Sequence, residues 1–238
     1  MKNRVVVVVP VYKETLTASE TLAINQLKSV LNETPIVIVS PVGLKNKEAV
    51  RILDPVDIKY FDKKYFQSTR TYNHLLVNQE FYKTFNEFKY MLLYQLDCYI
   101  FRDDLEFWCN KEWDYIGAPW LSIPVSSKTN IISKLFRRFM LRKVGNGGLS
   151  LRNISSHIAF INSHKLIAKY FRENEDVFFG VIAPMFSSKF KVPNYREAIS
   201  FAFETEPQLA YKLNNNQLPM ACHAWEKHDP AFWSSYIG

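Results

Sequence analysis

Four short stretches of this sequence hold side chains that can do chemistry. Asp97 follows an apolar run at residues 90–94, and a carboxylate at the end of such a run can meet the phosphates of a nucleotide through a divalent cation, or simply cap a turn or helix. Gly145, Gly147 and Gly148 place three of the chain's seven glycines within four positions. Glycines so placed let backbone N–H groups approach a ligand closely, although a plain tight turn has the same composition. Glu175 and Asp176 stand directly before the apolar Val177, Phe178 and Phe179. An acid against a low-dielectric wall has its pKa raised towards that of a useful base, and acids also suit a helix N-terminus. His223 emerges from a run of small residues near the C-terminus, where it can ligate a metal or pack beside Trp225.

These residues need a frame. The valines at 5–9 are β-branched without alternation, the pattern of a strand buried on both faces of a parallel sheet. Apolar positions at Leu22, Ile24, Leu27, Val30 and Leu31 then make a helical stripe, and a second apolar run covers 36–39. The spacing predicts further helices over 45–53 and 72–85 and strands over 56–61 and 90–94. Tyr115 and Ile116 read as a strand end, and residues 163–171 as a helix. Strands alternating with helices predict an α/β fold, an open, mostly parallel twisted sheet flanked by helices. Ligands of such sheets sit beyond the carboxyl ends of the strands, which directs attention to residues 10–14, among them Pro10, Tyr12 and Glu14, to 40–43, and to 95–99 around Asp97. No internal repeat or linker divides the chain, so we expect one domain with a sheet-rich first half and a substrate-binding second half.

Composition narrows the function further. A chain of 238 residues, 47% hydrophobic, with only 7 Gly and 11 Pro, is neither disordered nor low-complexity. It is long enough to bury roughly 70% of its unfolded surface. Cys98, Cys109 and Cys222 are odd in number and lack a Cys-x-x-Cys pair, which suggests neither a disulfide framework nor a zinc knuckle and suits a reducing cytoplasm. The apolar run after Lys2 and Arg4 is stopped by Pro10, Lys13 and Glu14, too soon for a signal peptide. No stretch reaches the ~20 apolar residues of a membrane span. The net charge is +7, but the charges are mixed along the chain and no nucleic-acid-binding motif is present.

In order, the strand ending in Val9-Pro10-Val11-Tyr12, the acid Asp97, Gly117-Ala118-Pro119-Trp120, the run Gly145-Asn146-Gly147-Gly148-Leu149-Ser150-Leu151-Arg152, the pair Glu175-Asp176 and His223 resemble the nucleotide-sugar-dependent glycosyltransferases of the GT-A fold. The set looks most like a bacterial branch associated with surface polysaccharide synthesis, capsule or lipopolysaccharide, and the resemblance covers nearly the whole chain. It implies a Rossmann-like half that binds a nucleoside diphosphate sugar, a UDP-sugar foremost, and an inverting transfer to a glycan or lipid-linked acceptor hydroxyl. Pro10, Tyr12 and Glu14 match the loop that contacts the nucleotide, and Gly147 and Gly148 match the glycine loop that faces the donor sugar. Asp176, with Glu175 beside it, matches the acid that serves as base. Asp97 matches the first acid of an Asp-x-Asp motif and His223 the C-terminal metal-binding histidine. The chain departs from this pattern at Tyr99, where the second acid belongs. A phenol is protonated near pH 7 and serves Mn²⁺ or Mg²⁺ poorly. Asp97, His223, diphosphate oxygens and water must then complete the metal site, or Lys or Arg neutralises the leaving group without metal.

Three further features bear on partners. Trp120 is a candidate sugar-stacking wall, equally a core residue, and Glu204 a candidate partner of acceptor hydroxyls, equally a solvated acid. Residues 130–143 interleave Leu135, Phe136, Phe139 and Leu141 with Lys134, Arg137, Arg138, Arg142 and Lys143, a basic amphipathic helix that suits either the core or an anionic membrane surface. The expected place is therefore the cytoplasm, at the inner face of its membrane if that helix docks there. The competing expectation is a non-catalytic nucleotide-binding scaffold, which Tyr99 favours. A nucleotidyltransferase fits less well, because the segment 10–14 lacks the glycine-rich basic loop such enzymes place after the first strand.

Overall fold

The valine run lies in the middle of strand β1 (Asn3–Pro10), whose residues Val6 to Val9 are all fully buried. The computed structural model describes residues 3–122, 131–171 and 174–238. From β1 the chain passes through α1 (Ala18–Val30), β2 (Ile36–Pro41), α2 (Lys47–Leu53), β3 (Asp57–Phe61), α3 (Thr69–Leu76), α4 (Gln79–Lys83) and β4 (Phe88–Tyr94). The second half holds β5 (Cys98–Ile100), α5 (Leu105–Asn110), β6 (Tyr115–Gly117), α6 (Ile131–Met140), β7 (Leu149–Asn153), α7 (Ile154–Ser163), α8 (Lys165–Tyr170) and α9 (Glu175–Val177). A wide helical turn over Phe178–Ile182 leads to α10 (Ala183–Phe186), α11 (Tyr195–Phe201), β8 (Ala202–Phe203), α12 (Pro207–Leu213), β9 (Ala221–His223) and α13 (Pro230–Trp233).

Six strands form the central sheet in the order β3-β2-β1-β4-β7-β6. The first four run parallel, with Val7 opposite Ile36 and Val8 opposite Leu93, while β7 is antiparallel to both β4 and β6. This is the mixed, mostly parallel α/β sheet flanked by helices that the alternation of elements predicts. Parallel strands need long crossovers, and the helices supply them while covering the apolar sheet.

Local signals set the helix ends. Thr17 and Glu20 form a capping box at the start of α1, with Thr17 Oγ1 accepting from Glu20 N at 3.2 Å and Glu20 Oε2 accepting from Thr17 N at 2.9 Å. The single helix expected over 72–85 is two. Ser68 and Thr71 start the first of them earlier, at Thr69, and Asn78 ends the run by capping a new helix, its Oδ1 accepting from Glu80 N at 3.0 Å. An Asn side chain competes well for backbone N–H groups at such a point. The helix expected over 163–171 is the shorter α8, because His164 separates it from α7, which Asn153 caps.

A second, smaller sheet has the order β5-β9-β8. Strand β9 pairs antiparallel with β5, Cys98 opposite His223, and parallel with β8, Phe203 opposite Cys222. These strands of two or three residues draw together segments that are far apart in sequence. Their outer side rests on an apolar cluster that includes Tyr99, Phe203, Cys222 and Trp233.

Candidate active site

The loop after β1 is fastened by side chains. Ser40 at the end of β2 donates to the Val11 carbonyl at 2.8 Å, and Asn46 Nδ2, at the cap of α2, donates to the Lys13 carbonyl at 3.0 Å. Lys13 Nζ lies 2.6 Å from Glu20 Oε1. Pro10 is therefore buried at the strand end, while Tyr12 and Glu14 stand exposed beyond it. Burial on one side raises the Tyr12 phenol pKa, and the nearby Asp97 carboxylate acts in the same direction. Two hollows adjoin this loop. One, of about 190 Å³, lies between the ends of β1, β2 and β3 and is lined by Val11, Ile38, Ser40, Leu44, Asn46 and Tyr60. The other, of about 350 Å³, has Tyr12, Gln67, Ser68, Thr69, Tyr72 and Gln95 on its walls.

Asp97 sits in the turn between β4 and β5, held by Ala224 N donating to its carbonyl at 2.9 Å. Cross-strand pairing brings His223 to it, with Nε2 3.2 Å from Asp97 Oδ1. The contact is close enough for ion pairing but poorly aligned, so Nε2 has no hydrogen-bond partner. The other ring nitrogen, Nδ1, lies 3.0 Å from Glu204 Oε1. Burial works against a charged imidazole, yet the two flanking carboxylates outweigh it and push His223 up to about 10. Asp97 is likewise partly desolvated, but the close approach of the His223 imidazole holds it below the usual carboxylate range.

These donors suit a divalent cation. Neighbouring ligands of an octahedral ion at about 2.1 Å lie about 3 Å apart, close to the 3.2 Å observed between Asp97 and His223. The carboxylate suits Mn²⁺ or Mg²⁺, and the imidazole suits a transition metal. The Cys98 thiol completes a group whose ligand atoms all lie within 4.8 Å of one another, but burial raises its pKa well above normal and it points to the Gly148 carbonyl at 3.4 Å. Tyr99 turns away entirely. Its ring packs 5.2 Å from that of Phe101 and 6.5 Å from that of Trp225, so it is a core residue of the small sheet and offers nothing to a cation.

The glycine turn lies across these groups. A Cβ on Gly148 would stand 2.2 Å from His223 Nε2, and one on Gly147 would stand 2.0 Å from Glu175 Oε1. The close approach expected from the glycines is thus made against the protein's own imidazole and carboxylate. Asn146, at φ +67°, takes the left-handed conformation that shapes the turn, and its N–H donates to Asp176 Oδ2 at 3.1 Å.

The two acids of α9 have different surroundings. Glu175 is paired with Arg152, its Oε1 2.7 Å from Nη2, and both side chains are almost wholly buried. Arg152 also donates to Ser150 Oγ at 2.9 Å, to Tyr82 Oη at 2.9 Å and to the Gly147 carbonyl at 3.1 Å. Among the described residues Asp176 has no cation beside it, and its oxygens accept from the N–H groups of Asn146 and Val177. Burial, with the charges of Glu175 and Glu204, raises its pKa to about 7.

The structure therefore brings Asp97, Gly147, Gly148, Glu175, Asp176, Glu204 and His223 together. Trp120 instead lies against Gly145, where a Cβ would stand 2.0 Å from its ring, and Glu204 is engaged by His223. Arg152 is the residue that sequence reasoning missed. A lone arginine in the otherwise uncharged Leu149–Asn153 was the signal available.

A family model described as a protein of unknown function, DUF5672, matches residues 55–223, most of the chain and nearly all of this site. The chain belongs to the DUF5672 family. No curated protein matches it by sequence. Among solved structures, this DUF5672 chain is similar to the apo form of WbbM, a bifunctional glycosyltransferase, with a TM-score of 0.61 at 10% identity over 97% of this chain and 47% of that one. It thus spans about half of WbbM. It is also similar to mouse xyloside xylosyltransferase 1 (TM-score 0.56, 14% identity, 91% of this chain and 96% of that one). An active-site mutant of LgtC is a third likeness (TM-score 0.55, 14% identity, 92% of this chain and 86% of that one). At these identities the likeness is one of fold, and that fold is the GT-A type.

Removing one partner of a buried ion pair strands the other in low dielectric, at a cost of about 3–5 kcal/mol. Arg152→Met is expected to lower the stability measured by urea unfolding by that amount. The double variant Arg152→Met/Glu175→Gln should recover a good part of it.

Proposed function

We propose that this protein is an inverting glycosyltransferase that moves a sugar from a nucleoside diphosphate sugar to the hydroxyl of a glycan or lipid-linked acceptor. The observation that carries the reading is the contrast between the two acids of α9. Glu175 is locked to Arg152, whereas Asp176, without a cation partner among the described residues and raised to about 7, is poised to accept a proton at neutral pH. On this reading the acceptor O–H gives its proton to Asp176 as its oxygen bonds to the anomeric carbon. The bond from that carbon to the diphosphate breaks in the same displacement, and the nucleoside diphosphate departs.

Asp97 and His223 would hold the divalent cation. When bound it would neutralise charge on the departing diphosphate. The hollow between Val11 and Tyr60 suits the base, with an exposed aromatic ring at its rim, and the uncharged hollow at Gln67, Ser68 and Gln95 suits a neutral sugar. A UDP-sugar as donor and a bacterial surface polysaccharide as product are carried over from the resemblance to GT-A enzymes. So is the division into a nucleotide-binding half (1–101) and an acceptor half (102–238).

A membrane surface is proposed as the place of action. Among the described residues no helix is long and apolar enough to cross a membrane. Asn130 and the Arg137 side chain lie outside what is described, but α6 exposes Leu135 (61%), Phe136 (49%) and Phe139 (44%). At about 100° per residue, Leu135 and Phe139 share one stripe and Lys134 and Arg138 the next. An exposed apolar arc edged by cations suits anionic lipid.

The second reading, a non-catalytic nucleotide-binding scaffold, draws on Tyr99, which is packed away from the cation site.

Five measurements test these readings. Asp176→Asn should lower transfer by about 10²–10⁴-fold with donor binding kept, and a scaffold would have no transfer to lose. In the wild type the rate should rise with pH through about 7 as the base ionises. Stability should move oppositely. Because the folded pKa lies above the unfolded one, stability contributed by neutral Asp176 is complete below about pH 4 and is lost as pH rises to about 7, and Asp176→Asn should remove that slope.

A thermal-shift panel of UDP, GDP, CDP and dTDP with Mn²⁺ or with EDTA should show one nucleotide stabilising the protein in a metal-dependent way. Stabilisation that survives EDTA would remove the metal from the reading, and none in either condition would favour the scaffold. Replacing Lys134 and Arg138 with Glu should abolish sedimentation with phosphatidylglycerol-containing vesicles. Unchanged sedimentation would end the membrane reading.

A further inference from the structure

The second acid of the Asp-x-Asp pattern is missing at Tyr99, and the fold places another carboxylate nearby. Strand β8 ends at Phe203, paired in parallel with Cys222. The next residue on each strand is Glu204 and His223, which sets their side chains side by side. Glu204 Oε1 meets Nδ1 of the imidazole at 3.0 Å, with only 16% of the Glu204 side chain exposed. The ring is thereby turned so that Nε2 is 3.2 Å from Asp97 Oδ1 and without a hydrogen-bond partner. Gly148 has no side chain to obstruct that nitrogen.

We infer that Glu204 is the positioning residue of the cation site: it fixes the His223 ring through Nδ1, so that Nε2 and Asp97 together face the metal and diphosphate. The inference rests on the reading of Asp97 and His223 as the metal ligands. It assigns to Glu204 a role other than contact with acceptor hydroxyls. A ligating histidine is commonly oriented by a carboxylate on its other nitrogen, which also raises its basicity as a ligand. Here that partner also returns to the site, at one remove, the negative charge that Tyr99 does not provide. The ion would see one carboxylate directly and a second through the imidazole.

The arrangement is chemically distinct from two carboxylates on one strand. Glu204 directly follows β8, so the cation site depends on the pairing of three short strands instead of on one loop. Its charge also reaches Asp176, whose pKa it helps to raise, and this links the proton acceptor to the group that orients the metal ligand.

Two readouts test the role, one without metal or nucleotide. With histidine labelled by ¹⁵N, the wild-type apoprotein should show a slowly exchanging, downfield Nδ1–H resonance, assigned to His223 by its loss in His223→Gln. Glu204→Ala should lose it and Glu204→Gln should shift it upfield, with thermal stability and near-ultraviolet circular dichroism confirming that both variants fold. Absence of the resonance in the wild type, or its persistence in Glu204→Ala, overturns the proposal.

The second readout is Mn²⁺ affinity, from the electron paramagnetic resonance of free Mn²⁺ titrated against protein with UDP, GDP, CDP or dTDP present. Glu204→Ala should weaken binding by about 10–100-fold and Glu204→Asp by less. Affinity within twofold of wild type in Glu204→Ala overturns the proposal. Failure of the metal reading itself looks different: the wild type binds no Mn²⁺ with any of the four nucleotides while its ring proton remains. That outcome overturns the positioning role too, but leaves Asp176 and donor binding untouched.

Discussion

A fully buried guanidinium is the constraint around which this molecule is arranged. Arg152 is fully buried on β7, and an ion in that position costs several kcal/mol unless its donors are met. They are met by Ser150, Tyr82, Glu175 and the carbonyl of Gly147, with the rings of Tyr115 and Phe179 also close to the guanidinium. Each partner is thereby fixed. Tyr82 ties in α4, Gly147 holds the turn that crosses the site, and Glu175 anchors the start of α9. Because Glu175 is committed to this pair, its neighbour Asp176 is delivered, with no cation partner among the described residues, to a buried position beside two other acids.

The small sheet does for the other side of the site what Arg152 does for this one. Three strands of two or three residues carry Asp97, His223 and Glu204 to one point from parts of the chain up to 126 residues apart. Such short strands cannot hold themselves together. They are stabilised by the aromatic cluster behind them, where Phe101 stacks on Trp233 at 5.8 Å and Tyr99 lies against both Phe101 and Trp225. Tyr99 therefore contributes to the support beneath Asp97, Glu204 and His223.

Much of this was legible in the sequence, and the reasons differ by residue. The valines of β1 and the stripe of α1 announced the parallel half, because burial on two faces of a sheet and one face of a helix leave patterns of hydrophobicity. Asp97, Asp176 and His223 each suit a turn, a helix end or a packed ring when taken alone, and stood out through their order along the chain with the glycine run between them. Glu204 was visible as a candidate but its partner was not, since a contact made by parallel pairing across 19 residues leaves no local trace. Arg152 showed only as a single charge in an uncharged strand. The break at Asn78 was missed because the apolar periodicity runs on through it, while a single cap decides where one helix stops and the next begins.

The fastening of the loop after β1 has a consequence for the economy of binding. Loops usually lose conformational freedom when they close on a ligand, and that loss of entropy is subtracted from affinity. Here Ser40, Asn46 and the Lys13–Glu20 pair hold the segment from Val11 to Lys13 in place beforehand. A ligand lying across the strand ends meets a surface already in its final shape, so recognition at this end is a matter of complementarity, with little cost of ordering to offset.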